Sequence, residues 1–472
     1  MNPLPLARIA QWSGGHLQGA DMPIDAIVTD TRAIAGGALE TGDNRSALFV
    51  ALKGERFDGH EHVARAGELG VSAALVSRLV DSPLPQVLVA DTQRAFASLA
   101  AAMQHARAGN VVAVTGSNGK TSVKTLLLSI LRRAGKAYAN PGNRNNEIGL
   151  PLAVIDAPDD ADFAVYEMGA GKPGDIAYLT AVARPDVALV NNVAPAHLER
   201  MGSLLGVADT KAAIYDALPA DGVAVINADD AFAPYFAERA HGRRLLRFGL
   251  DAQADISARD LRLDGDGMRF VLVAPEGERE AMVPMPGRHS VANALAAASL
   301  ALACGVGLDD IVAGLRDAQP VAGRLVRHRL PGDVLLVDDS YNANPGSLNA
   351  AIDTLAAAPG DAWLVLGDMR ELGADARSLH EQAGRRAKEA GIARLYALGA
   401  LSAAAASAFG EGGRVFDTHA ALADALRADI VAFAGVTSNA VRLQVLVKGS
   451  RGSAMDRVVT ALLTNGDAAH AA

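Results

Sequence analysis

The chain has 472 residues, too many for one ordinary domain, and the length predicts roughly two to four. Half of the residues are hydrophobic but only 4% are aromatic, so the apolar content lies mainly in Ala, Leu and Val, as alternating strands and helices use it. A formal charge of −9 argues against a nucleic-acid-binding surface, and the single cysteine, Cys304, excludes an intramolecular disulfide and a multi-cysteine zinc site.

The amino terminus, MNPLPLARIAQW, lacks a basic start followed by an unbroken apolar run, and no window offers about 18 consecutive apolar residues. A cytoplasmic α/β protein without membrane insertion is expected. From Met1 to Ser82, short apolar runs (Ala26 to Val28, Leu48 to Leu52, Ala73 to Val76) are split by Gly and Asp turns, and Pro83-Leu84-Pro85 reads as a linker. From Gln86 to Pro320, apolar strands at Val111 to Thr115, Phe163 to Tyr166, Val187 to Asn191 and Val223 to Ile226 alternate with helical patterns, a parallel-sheet signature. A second doubly wound unit follows, with strands at Val334 to Val337, Trp363 to Leu366, Arg394 to Leu398 and Val445 to Val447.

The first strand of the middle segment runs directly into Gly116-Ser-Asn-Gly-Lys-Thr121. Backbone N–H groups from such a turn, together with the positive end of the following helix, can hold phosphate, with Lys120 as a point charge and Thr121 as a Mg²⁺ ligand. The strict P-loop pattern needs a glycine where this chain has Val114, so the match is to a shortened form, G-x-x-G-K-T. An ordinary strand-to-helix turn is the plainer reading. Glu167 and His197 are the first acid and the first imidazole beyond two further apolar runs, placed to meet the turn in one crevice beyond the strand ends. Taken singly, each is an ordinary loop residue.

In order and spacing, TGSNGKT, EMGAGKPGDI, NNVAPAHLERMGSLLGVADTKAAIYDAL, GRHSVANALAA, GRL and VDDSYNANP resemble the Mur ligases of bacterial cell-wall synthesis over about residues 26 to 455. SYNANP, GNRNNEIGLP and VALKGERFDGH favour the member that joins D-alanyl-D-alanine to UDP-N-acetylmuramoyl-tripeptide. The resemblance implies a monomer of three domains: residues 1–84 for the UDP-sugar, a central P-loop-type parallel-sheet ATPase over 85–320, and a Rossmann-like 321–472 that binds the incoming dipeptide. It implies ATP and two Mg²⁺ ions, an acyl phosphate on the tripeptide carboxylate, and attack by the dipeptide amine. A sibling ligase, a folylpolyglutamate-type synthetase and a non-ligating nucleotide switch are the alternatives. The switch should carry an Asn-Lys-x-Asp segment, and none occurs.

Residue by residue, the resemblance makes Thr115, Gly116, Ser117, Asn118, Gly119, Lys120 and Thr121 the phosphate loop. Thr121 and Glu167 become ligands of one Mg²⁺, and Glu167 and His197 flank a second. Lys211 matches a carbamylated lysine, whose two oxygens suit a metal better than an ammonium does. Asn293, with His289 less directly, contacts ATP; Arg324 approaches the γ-phosphate; Asp339 holds the ribose beside Tyr341 and Asn342. Thr31, Arg32 and Lys53 match contacts to the UDP end, and Asn143, Asn145 and Asn146 contacts to the muramyl sugar or peptide. Lys448, Ser450 and Arg451, with His380, match the region that receives the dipeptide. Two stretches depart from the family pattern, Thr41 to Ser46 and Ala434 to Arg442.

Overall fold

The computed structural model describes residues 1–34, 46–195, 198–436 and 443–464. His197, and most of the two departing stretches (41–45 and 437–442), lie outside the described residues.

The amino-terminal sheet has five strands in the order His16–Gln18, Gln86–Leu88, Ala73–Val76, Ala47–Val50, Ala26–Val28, parallel except for the His16–Gln18 edge. It therefore runs past residue 84, where the sequence reading ends the first unit. The chain bends at Pro83 and Leu84, and the Pro85 carbonyl already accepts from Ala74 N–H at 3.0 Å, so the supposed linker leads straight into a strand.

The central sheet is wholly parallel, in the order Arg244–Phe248, Val223–Asn227, Val187–Val190, Asn110–Thr115, Phe163–Glu167, Ala137–Ala139. Phe163–Glu167 and Val187–Val190 are buried from end to end, and Asn110–Thr115 is buried after its first residue, which is why they read as apolar runs. The register aligns Glu167 with Val114 and Val190 with Thr115, so three strands end level beside the strand at which chain order reverses. That edge is where open α/β sheets bind ligands.

The parallel alternation expected through Pro320 is interrupted. Ser257–Asp264, Gly267–Ala274 and Gly277–Val283 form an antiparallel meander. Only two residues join each pair, too few for a crossover helix, and Gly265 supplies the positive φ (+59°) of the first turn. The third sheet runs Val326–Leu330, Val334–Asp339, Leu443–Lys448, Asp361–Gly367, Arg394–Leu398, Gly413–Phe416, parallel except for the Val326–Leu330 edge.

One continuous apolar cluster passes from Leu6 and Ile9 through Phe96 and Leu99 to Leu150, Leu179 and Ala212, so the first and central sheets share a core. Phe96 and Leu99 belong to the helix Thr92–His105, whose start is fixed by Asp91 Oδ1 accepting from Arg94 N–H at 2.9 Å. On the other face the helix Arg288–Ala303 buries Ala294, Ala296, Ala297, Ala298 and Ala301 completely, and these small side chains let it pack closely against the helix Lys120–Ala134. This helix begins at Arg288, so it carries both His289 and Asn293.

Candidate active site

The strand Asn110–Thr115 ends in a turn whose glycines are required. Gly116 (φ +150°) and Gly119 (φ +78°) occupy backbone regions that L side chains avoid. A Cβ on Gly119 would lie 2.4 Å from Asn293 Oδ1 and 2.5 Å from Asn191 Nδ2. No side chain caps the helix that follows, so its first N–H groups are left for an anion. Lys120 folds back over the turn, its Nζ donating to Gly116 O at 2.6 Å. Burial is the largest influence on this ammonium and lowers its pKa; Arg324 adds to that, while Glu167 opposes it.

Glu167, the last residue of its strand, is 3% exposed. Its Oε2 accepts from Thr121 Oγ1 at 2.9 Å and pairs with Lys124 Nζ at 3.2 Å; its Oε1 accepts from Asn145 Nδ2 at 2.9 Å. Burial, the largest single influence, raises the carboxyl pKa, but Lys124, Lys120, Asn145 and Thr121 together outweigh it and hold the group below its ordinary value. A carboxylate and a hydroxyl side by side at a phosphate turn are the hard oxygen donors Mg²⁺ takes, its other ligands being phosphate oxygens and water.

Arg324 reaches this pair from the third sheet's side. Its Nη2 donates to Thr121 Oγ1 at 3.0 Å, its guanidinium lies 4.4 Å from the Tyr341 ring centre, and its Nε is buried with no hydrogen-bond partner among the described residues. Asn344, which caps the helix Pro345–Ala356, donates through Nδ2 to Asn118 Oδ1 at 2.7 Å. Turn and third unit thus enclose a cleft of about 990 Å³. Lys211 opens into it from the helix Leu204–Asp216, with no ion-pair or hydrogen-bond partner among the described residues. Burial first, and the Lys120 charge second, bring its pKa down to about 7.

The expected residues divide into two groups. Gly116 to Thr121, Asn145, Asn146, Glu167, Lys211, Asn293, Arg324, Asp339, Tyr341, Asn342 and Lys448 all line the cleft. Thr115 is tied into the sheet instead, its Oγ1 donating to Met168 O at 2.9 Å. Asn146 Oδ1 also receives Gly149 N–H at 2.8 Å at the start of the helix Gly149–Asp156, while Asn143 does not line the cleft. Lys448 gives two of its three donors to Asp339 Oδ2 (2.5 Å) and Asn342 O (3.0 Å), which leaves its third unused among the described residues. Ser450 Oγ donates to Ala343 O and accepts from Arg370 N–H, and Arg451 lies 5.6 Å from the Tyr341 ring centre. His380 is fully buried, Nε2 accepting from Met369 N–H and Nδ1 donating to Ala376 O. Thr31, Arg32 and Lys53 stand apart from the cleft; the Arg32 side chain, 89% exposed, forks onto Asp30.

Sequence reasoning passed over Lys124, Asn191, Asn192 and Asn344. Asn191 Nδ2 bonds both Asn118 O and Asn293 Oδ1, and Asn192 Oδ1 receives Asn118 N–H at 2.8 Å. A signal existed for each: Lys124 stands one helical turn after Lys120, and the asparagines belong to the quoted motifs.

A family model described as Mur ligase middle domain matches residues 114–301, and one described as Mur ligase, glutamate ligase domain, matches 323–467. The chain is 43% identical, over 467 residues, to the UDP-N-acetylmuramoyl-tripeptide–D-alanyl-D-alanine ligase of Escherichia coli (strain K12), which spans 99% of this chain and 100% of that one. Its fold resembles that of MurF from Acinetobacter baumannii, with a TM-score of 0.91 and 33% identity over 98% of this chain and 99% of that one. The MurF ligase of Thermotoga maritima in complex with ADP gives a TM-score of 0.81 and 28% identity over 94% and 98%.

Proposed function

The chain belongs to the Mur ligase family, and from that premise we propose how its cleft performs the family's chemistry. It is an ATP-dependent ligase that joins D-alanyl-D-alanine to UDP-N-acetylmuramoyl-tripeptide in peptidoglycan precursor synthesis. A carboxylate resists amine attack because delocalised negative charge shields its carbon. Phosphorylation by ATP turns it into an acyl phosphate and leaves ADP; the dipeptide amine then attacks the acyl carbon and, through a tetrahedral intermediate that loses the amine proton, expels phosphate.

In our reading the Gly116–Thr121 turn and Lys120 hold the ATP phosphates, and Arg324 balances charge on the phosphoryl group in transfer. Asn293, His289, Asp339, Tyr341 and Asn342 line the same cleft on the nucleotide side. Thr121 and Glu167 would hold one Mg²⁺, and Lys211, carbamylated, would serve with His197 at a second; bound Mg²⁺ supplies charge neutralisation to the triphosphate. With a pKa near 7, Lys211 is substantially neutral at physiological pH, and the neutral amine is the form that reacts with CO₂. Asn145 and Asn146 face the muramyl peptide. The first unit, carried through Leu88, takes the UDP end at Thr31, Arg32 and Lys53, and the third takes the dipeptide. An enzyme that draws on ATP and a nucleotide-sugar works in the cytoplasm.

The observation that carries this reading is the meeting of Lys120, the Thr121–Glu167 pair and Arg324 at one cleft. Phosphate release measured across a panel of UDP-muramyl peptides and amino donors, with product masses, tests it. Turnover should require the tripeptide and D-alanyl-D-alanine together; equal turnover with a single amino acid as donor would favour a sibling ligase.

A further inference from the structure

The helix Lys120–Ala134 carries a second lysine one turn beyond the phosphate lysine. Lys124 is 6% exposed, and its ammonium has three acceptors: Asn140 O at 3.0 Å, Gly142 O at 3.1 Å and Glu167 Oε2 at 3.2 Å. All three of its donors are therefore engaged. Glu167 is tied to the same segment again, since Oε1 accepts from Asn145 Nδ2 at 2.9 Å. Asn140 brackets the Glu167 backbone, Oδ1 accepting from its N–H at 2.9 Å and Nδ2 donating to its carbonyl at 3.1 Å. Residues 140–146 form neither helix nor strand, and a Cβ on Gly142 would meet nothing within 4 Å. These bonds act beside Gly169 N–H to Asn145 O at 2.8 Å and Asn140 Nδ2 to Arg144 O at 2.8 Å, and among the described residues the lysine is the one side chain that ties two of the segment's carbonyls to Glu167.

We propose that Lys124 is a positioning residue for the ligation: it fixes residues 140–146 against Glu167, so that the phosphate end and the muramyl-peptide end of the cleft keep one geometry. This deepens the assignment of the cleft made above and rests on it. A methionine at 124 would fill the space of the lysine stem but leave two carbonyl oxygens without their donor and Glu167 Oε2 with Thr121 alone.

The test uses the full chain carrying Lys124→Met, Asn145→Ala and both. In Lys124→Met the KM for the UDP-muramyl tripeptide rises about tenfold, whereas the KM for ATP changes less than about threefold. Without any substrate, amide hydrogen exchange across 140–147 quickens about tenfold, while the strand Asn110–Thr115 keeps its protection. The double variant shows less than the product of the single effects, because both release the same segment. Unchanged exchange over 140–147, a uniform rise across the central sheet, or strictly multiplicative effects would each overturn the proposal. The exchange experiment needs no substrate, so an enzyme that accepts other substrates would defeat the functional assignment and leave the Lys124 result standing.

Discussion

Arg324 Nη2 donates to the Thr121 hydroxyl at 3.0 Å across 203 residues of sequence, and that hydroxyl donates in turn to Glu167. The arginine thus joins the third unit to the phosphate turn through a residue that also touches the acid. Its planar guanidinium lies over Tyr341 while it donates, which a lysine ammonium cannot reproduce. Arg324→Lys should lower kcat about a hundredfold, in the range for losing one charge-stabilising donor, with little change in melting temperature. Phosphate-release kinetics and a thermal melt on the same sample measure both.

Gly119 tests the turn itself. Gly119→Ala forces a side chain into a left-handed conformation and drives a Cβ against Asn293 and Asn191. Binding of a non-hydrolysable ATP analogue should weaken by at least about tenfold, with a stability loss of about 1–3 kcal/mol. Gly142→Ala is the control: its φ is also positive, at +55°, but its surroundings are open. It should lose about 1 kcal/mol and keep nucleotide binding, as calorimetry can establish.

Lys211 predicts a pH dependence with a definite sign. Its pKa falls from 10.5 to about 7 on folding, so between those values the unfolded chain keeps a proton that the folded chain has released. In CO₂-free buffer, stability should rise with pH from about 7 towards 10.5, by on the order of 1 kcal/mol per unit at most, and then level off. Lys211→Met should flatten that rise while other titrations continue in both proteins. Denaturant unfolding at pH 7 and pH 9 compares them. Labelled bicarbonate should also give a carbamate carbon signal in the wild type that the variant lacks.

The pair Lys448–Asp339 predicts a double-variant rescue. Both side chains are largely buried, 4% and 13% exposed, and adjacent in register on neighbouring strands. Lys448→Met should cost on the order of 2–3 kcal/mol, short of the full figure for a broken buried pair because Asp339 edges the cleft. Adding Asp339→Asn should recover more than half of it, as denaturant titration would show.

The legible part of the site was the part written locally. The phosphate turn shows because glycine, lysine and threonine must follow a buried strand within a few residues. Glu167 shows because an acid closing an apolar run has to meet the sheet edge. Register was not legible, so nothing in the sequence set Lys448 beside Asp339 on the neighbouring strand. Nor was the partner of Asn118, since Asn344 lies 226 residues away. The meander from Ser257 to Val283 carried a period-two pattern, visible in the alternating burial of Gly267–Ala274, but was absorbed into the surrounding parallel alternation. Lys124 was hidden by its neighbour: one lysine explained the motif, and only the packing of residues 140–146 gives the second a task.

The central claim is that the cleft around Lys120 activates a substrate carboxylate with ATP before the amine arrives. The direct measurement uses UDP-muramyl tripeptide labelled with heavy oxygen in its terminal carboxylate, with D-alanyl-D-alanine and ATP, in the wild type and in Lys120→Ala. The released phosphate should carry one labelled oxygen per turnover in the wild type, and Lys120→Ala should release almost none. Unlabelled phosphate accompanying ligated product, or undiminished labelled phosphate from Lys120→Ala, would contradict the account.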